Sequence, residues 1–159
     1  MKKKGFTLIE LLVVVGILAV LIGAMAAAIN PMKQFAMANN ARRWANIMNI
    51  MNAVSQNIVD NQGVFATTTA ECGGDLPTST TTMKKTGGYD ICGCIVPGYI
   101  GSLPVDPTNG SPAGGVSSCA ATYDTAYDII YSTTTRRTTI IAPNAQSENG
   151  TAPTISLTR

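Results

Sequence analysis

Gly5-Phe6-Thr7-Leu8-Ile9-Glu10 plants one carboxylate five residues after a glycine, inside an otherwise unbroken apolar run. The run extends from Phe6 to Ile29, 24 residues, and Met1-Lys2-Lys3-Lys4-Gly5 precedes it. As a helix it is long enough to cross a hydrocarbon core of about 30 Å. A charged acid near the middle of such a span costs up to ~2.5–3.5 kcal/mol, less toward its end, so Glu10 needs a compensating partner and is a functional-site candidate. Three simpler readings compete. A secretory signal peptide would use Lys2 to Lys4 as its basic region and be cut after Ala26 or Ala28, but its apolar region is normally about 7–15 residues and carries no acid. A plain signal anchor would pair Glu10 with Lys3 or Lys4 near the headgroups. A buried helix of a soluble protein is disfavoured by the length of the run.

Basic leader, Gly5, Phe6 and a glutamate four residues after the phenylalanine together resemble the processing site of type IV prepilins and pseudopilins. That resemblance implies cleavage between Gly5 and Phe6 by a prepilin peptidase and N-methylation of the new Phe6 amine. It also implies assembly into a filament, with Glu10, Phe6 and Pro31 as assembly residues. It accounts for Gly5, Phe6 and Glu10 at once, which none of the three simpler readings does.

Eleven lysines and arginines against nine acids give a formal charge of +2, and removal of residues 1–5 takes three lysines away and leaves a side-chain balance of −1. The basicity belongs to the leader, so no dedicated nucleic-acid binding is expected. There is no histidine, which removes the commonest general base and the commonest metal ligand together. With no P-loop, G-x-S-x-G or HExxH either, the chain reads as a non-enzyme. Lys2 to Lys4 on one side of the run and Lys33, Arg42 and Arg43 on the other tie in a bare count of topogenic charge. The lysines directly abutting the span and the cysteine-rich remainder place the N-terminus in the cytoplasm.

All four cysteines, Cys72, Cys92, Cys94 and Cys119, follow the apolar run in a segment read as exported, where disulfides persist. If Tyr89 to Val96 is extended, Cys92 and Cys94 share a face with their Cα atoms ~6.6–6.8 Å apart and their side chains parallel, so they do not bond each other. Cys72 then takes one of them and Cys119 the other, in either pairing. A four-cysteine zinc site would want C-x2–4-C steps that the chain lacks.

Within the apolar run Gly16, Ala19, Gly23 and Ala27 form a stripe of small residues, with Ala24 and Ala28 beside it, a pattern that lets helices approach closely in lipid. Pro31, lacking an N–H for Ala27, predicts a kink or local melting around Ala27 to Pro31. Trp44, Ile47, Met51, Val54 and Ile58 then recur at helical spacing, with Arg42, Arg43, Asn46, Asn49, Asn52, Gln56 and Asp60 largely off the stripe. Gly63 suits the C′ position that ends this helix. From Ala66 to about Gly115 the chain is rich in Thr, Gly, Ser and Pro, including Thr67 to Thr69, and depends on the cysteines for order. Ala126 to Tyr131, Thr138 to Ala142 and Thr154 to Leu157 read as strands. Tyr123, Tyr127 and Tyr131 read as packing residues with polar tips.

Leu103-Pro104-Val105-Asp106-Pro107 is similar to a loop of major pseudopilins that leads toward a calcium site. Asp106, Asn109, Asp124 and Asp128 are the weak oxygen-ligand candidates, although Asp-Pro and Asn-Gly are turn formers in their own right. Apart from possible calcium no cofactor is expected. Lys84-Lys85 and Arg136-Arg137 would be the DNA footprint of a competence-type filament, but no aromatic residues interleave with them, as stacking would require. Asn109-Gly110-Ser111 and Asn149-Gly150-Thr151 fit the glycosylation acceptor pattern, the first spoiled by Pro112, and carry no functional claim.

The expected protein is α+β: a long N-terminal helix, half transmembrane and half amphipathic, packed on a small C-terminal antiparallel sheet in the pilin manner. Its divisions are a leader 1–5, a membrane or filament-core helix 6–29, an amphipathic helix 30–63 and a disulfide-tied head 64–159. The resemblance implies a membrane-held subunit that meets an inner-membrane assembly platform and polymerises with copies of itself into an extracellular filament for adhesion, motility or attachment. The alternatives are a pseudopilin of a type II secretion or DNA-uptake machine and a membrane-anchored disulfide domain that never polymerises.

Overall fold

The computed structural model describes residues 5–28, 30–65 and 72–159. Leader residues 1–4, Ile29 and the segment 66–71, with Thr67 to Thr69, lie outside the described residues, as do the side chains of Ala27 and Ala28 in the small-residue stripe.

Helix α1 (Leu8–Ala28) is 21 residues long, about 31 Å at 1.5 Å per residue. Helix α2 (Pro31–Asp60) follows it. The expected kinked helix is thus two helices, and Pro31 opens the second. At the first helical position its missing N–H is no loss, and Asn30 caps the turn by accepting from the Lys33 N–H at 3.3 Å. At the other end the left-handed C′ residue is Gln62 (φ 59°), not Gly63. Gln62 N–H donates to Val59 O at 3.3 Å and Gly63 N–H to Ile58 O at 2.8 Å, the paired bonds of a Schellman motif with glycine one place further on.

Ile47, Met51 and Val54 of the expected α2 stripe are buried and Ile58 is partly buried, and the stripe departs only at its first member. Trp44 is 40% exposed, and the buried face runs through Ala36, Asn40, Arg43, Ile47, Ile50, Val54 and Asn57. Those steps alternate four and three, a regular helical seam, but three of its seven members are polar. Arg43, placed off the stripe by its charge, is fully buried.

Strands β1 (Thr81–Lys84), β2 (Asp124–Ser132), β3 (Arg137–Ala142) and β4 (Ile155–Thr158) form one antiparallel sheet in sequence order. The sheet has four strands where the sequence suggested three. The unexpected one, β1, comes from the threonine-rich stretch, with Met83 buried and the Thr82 hydroxyl donating to Asp128 at 2.7 Å. Ile140, Ala142 and Ile155 bury the sheet's inner face, where β3 and β4 pack on α2. Chain-terminal Arg159 extends the β3–β4 ladder through Thr138 and reaches Asn52 of α2 at 2.7 Å.

Cys92–Ile95 is a single helical turn, α3, so the condition that Tyr89 to Val96 is extended does not hold. Two residues apart on a helix means about 200° of rotation, so the two sulfurs leave on opposite sides. Cys94 bonds Cys72 and Cys92 bonds Cys119. Around this turn Met83, Ile91, Ile95, Leu103, Tyr127 and Ile129 fill the core with α2's Ile47, Ile50 and Val54.

Candidate functional site

The processing segment is exposed. Gly5 to Thr7 precede α1 without regular structure, and Phe6 is 87% exposed. Thr7 and Glu10 close the start of α1 on each other: Thr7 N–H and Thr7 Oγ1 each donate to Glu10 Oε2 at 2.8 Å, and Glu10 N–H donates to Thr7 Oγ1 at 3.3 Å. This is a capping box, threonine at the N-cap and glutamate at the third helical position, which satisfies two otherwise orphaned amides. The pattern T-x-x-E is a local signature of such a cap. Both bonds that the carboxylate accepts fall on Oε2, so Oε1 keeps its acceptor capacity.

Along α1, Leu8–Met25 is apolar and long enough to cross a membrane, and none of it is buried. Gly16 and Gly23 have no neighbouring atom within 4 Å of where a Cβ would stand. Nothing in the subunit itself requires them to be small.

A second constellation ties α2 to the head. Arg43 Nε donates to Asp106 Oδ2 at 2.6 Å and Nη2 to Oδ1 at 3.1 Å, both side chains fully buried. A guanidinium's planar fork matches a carboxylate in this bidentate way. Asp106 Oδ1 also accepts from the Thr108 and Asn109 N–H groups at 2.9 and 3.0 Å. Arg43 also reaches Thr108 Oγ1 at 2.7 Å and Asn40 Oδ1 at 2.9 Å. Asn40 in turn donates to the Gln146 carbonyl and to Glu148 Oε1, and accepts from Gln146 N–H. One polar chain therefore joins the 146–148 loop, α2 and the 103–110 loop. Burial by itself would raise the Asp106 carboxyl, but the bonds from Arg43, Thr108 and Asn109 outweigh it and hold it below the usual carboxylate value.

Each calcium candidate accepts a hydrogen bond within the head, Asn109 Oδ1 from Thr108 Oγ1 at 2.7 Å. Asp106 is committed to Arg43, Asp124 Oδ1 accepts from Ala126 N–H at 2.8 Å, and Asp128 Oδ1 accepts from Thr82 at 2.7 Å. Among the described residues no three His, Cys, Asp or Glu side chains are grouped to hold a metal. The L-P-x-D-P element makes a joint with α2 through Asp106 and Arg43. Of the basic pairs, Lys85 is ion-paired with Asp90 at 2.8 Å, while Arg136 and Arg137 lie at the β2–β3 turn. Tyr123 Oη donates to Asp90 at 2.7 Å and accepts from Cys92 N–H, and Tyr127 Oη accepts from Asn46 at 3.0 Å. Burial pushes both phenols up, Tyr127 to about 12, with the nearby Asp106 charge adding to the effect there.

Residues 1–26 match the family model described as the prokaryotic N-terminal methylation motif. The chain carries the prepilin signal of type IV pilins and pseudopilins, proteins that serve as structural subunits. That signal implies processing by a prepilin peptidase and assembly into filaments, and with the apolar α1 it fits a membrane-anchored precursor. No curated protein and no solved structure matches the chain.

Proposed function

We propose that this chain is a non-enzymatic building block, cut between Gly5 and Phe6, N-methylated on Phe6 and polymerised with copies of itself into an extracellular filament. The observation that supports it most is α1: a helix apolar on every side and buried nowhere along Leu8–Met25, broken by one carboxylate in its first turn. Such a surface needs lipid before assembly and other helices after it. In lipid the hydrophobic effect supplies no drive between helices, so close approach over small residues such as Gly16 and Gly23 favours their association. Glu10 Oε1 would take the positive Phe6 amine of a neighbouring subunit, a pairing strong in a low-dielectric core and able to set axial register. The N-terminus starts in the cytoplasm, the head is exported, and the subunit needs no cofactor.

A pseudopilin of a secretion machine is the second reading, favoured by the Leu103 to Pro107 loop. Sheared surface material distinguishes them: long filaments containing the chain, each subunit beginning at methylated Phe6 by intact mass, support the pilin. A mature chain that is processed but stays with the cell envelope supports the pseudopilin. A terminus after Ala26 or Ala28 would overturn both.

A further inference from the structure

Two Asn-Gly dipeptides occur in the chain, Asn109-Gly110 and Asn149-Gly150. They share one latent chemistry and differ in what surrounds it. We propose that Asn149 is a site of spontaneous covalent modification, in which the Gly150 backbone nitrogen attacks the Asn149 side-chain amide and yields aspartate and isoaspartate, while the fold holds Asn109 unreactive.

The step needs no reagent but water. The Gly150 nitrogen loses its proton and bonds to Asn149 Cγ, the Cγ–Nδ2 bond breaks, and Nδ2 leaves with that proton as ammonia. The product is a five-membered cyclic imide. Water then adds to one of its two carbonyls. Opening at Cγ restores the ordinary backbone with an aspartate side chain, and opening at the α-carbonyl carries the chain through Cγ as isoaspartate. Glycine is the favourable following residue because it has no Cβ to obstruct the approach and tolerates a wide range of φ.

Three conditions decide whether the attack occurs: a backbone nitrogen without a hydrogen-bond acceptor, a side chain free to swing, and room for the ring. Asn149 and Gly150 are both exposed, and the Gly150 N–H makes no hydrogen bond among the described residues. A Cβ built at Gly150 meets nothing within 4 Å, and its φ of 87° is one that glycine adopts freely. At the other dipeptide, whose Asn109 is likewise exposed, the nitrogen is occupied and the side chain is held. Gly110 N–H donates to Asp106 O at 3.0 Å, Asn109 Oδ1 lies 2.7 Å from Thr108 Oγ1, and Asn109 N–H is held on the Asp106 carboxylate. A Cβ at Gly110 would stand 2.6 Å from both Asp106 N and Val105 Cβ. The Arg43–Asp106 pair that immobilises this loop also protects its asparagine.

Location gives the change a readout. Asn149 and Gly150 line a cavity with Lys33, Asn39 and Glu148 beside the first turns of α2. A carboxylate at position 149 adds a negative charge opposite Lys33, and an isoaspartate lengthens the main chain immediately after Glu148, whose Oε1 holds Asn40. The modification therefore bears on the loop that fastens the head to α2, and it does so whether or not the chain polymerises.

The full-length protein in detergent, incubated warm at mildly alkaline pH and mapped by peptide mass spectrometry, tests this. The peptide with Asn149 should gain the mass of an amide-to-acid exchange and split into two isomers several-fold faster than the peptide with Asn109. After reduction and denaturation the two should convert at similar rates, and Gly150→Leu should slow Asn149 in the folded chain. Conversion of Asn109 as fast as Asn149 in the folded protein, no conversion of folded Asn149, or a glycan on Asn149 would each overturn the proposal.

Discussion

Arg43 of α2 and Asp106 of the 103–110 loop meet fork to fork with neither side chain reaching solvent. Removing one partner of such a pair leaves the other charged and buried without its counter-ion, which costs about 3–5 kcal/mol. Arg43→Met and Asp106→Asn should each destabilise the full chain in detergent by that amount. The double variant should lose less than the sum of the two, because the pair acts as one unit. Denaturant unfolding of all three variants measures the coupling, and strict additivity would show that the two side chains contribute independently.

The same pair sets a pH dependence. The folded carboxyl of Asp106 lies below its unfolded value, so its contribution is complete above about pH 4 and fades as pH falls through the lower folded value. Stability of the wild type should fall in that acid range more steeply than stability of Asp106→Asn. Parallel acid-unfolding curves would remove Asp106 from the explanation.

At the alkaline end the sign reverses. Tyr127, about 12 in the folded protein against ~10 when unfolded, stabilises the fold below about pH 10 and loses that contribution as pH rises toward 12. Phenolate absorbance should show delayed ionisation of buried tyrosines that Tyr127→Phe reduces by one group. A tyrosine titration complete near pH 10 in the folded protein would contradict the burial seen at this site.

The disulfides close segments of 22 and 27 residues in a region whose own core residues, among them Met83, Ile91, Ile95 and Leu103, cluster around the α3 turn. Loop entropy puts each at about 3–4 kcal/mol. Replacing Cys72 and Cys94 by alanines, or Cys92 and Cys119, should lower stability by that order, and non-reducing peptide maps of the wild type should return these two pairs. A map with Cys72–Cys92 and Cys94–Cys119 would contradict the geometry of the α3 turn.

How much of this was legible depended on whether a signal was local. An apolar run without alternation can only be a wholly exposed or wholly buried helix, so α1 followed directly from composition. β2, β3 and β4 alternate or carry β-branched residues within a few positions of their observed ends. Three of the departures involve partners distant in sequence. Arg43 is off an apolar stripe until Asp106, 63 positions away, receives it. β1 has a single buried apolar residue, Met83, and becomes a strand only against β2. Cys92 and Cys94 look extended beside Tyr89 and Ile91 until two disulfides wind them into a turn. The Thr7–Glu10 cap was local and still missed, because a glutamate in an apolar run invites a search for a cation and hides its use as an acceptor for its own helix.

That cap changes how Glu10 has to be tested. Glu10→Leu removes a charge from the apolar run, so insertion of the precursor should be intact or improved. It also removes the capping box, so impaired assembly by itself would not show that the carboxylate meets a neighbour's Phe6 amine. Thr7→Val separates the two roles: it deletes the hydroxyl that caps Glu10 N–H, at a cost of ~0.5–2 kcal/mol to the helix start, and leaves the carboxylate in place. The ratio of sheared filament protein to membrane-pool protein should fall severely in Glu10→Leu and stay close to wild type in Thr7→Val, with Gly5→Ser as the unprocessed control and mass spectrometry confirming normal maturation of the other two. Equal losses in both variants would assign Glu10 to its own helix. A Glu10→Leu ratio equal to wild type would sink the intersubunit pairing, since a buried amine that assembles without its counter-ion never needed one.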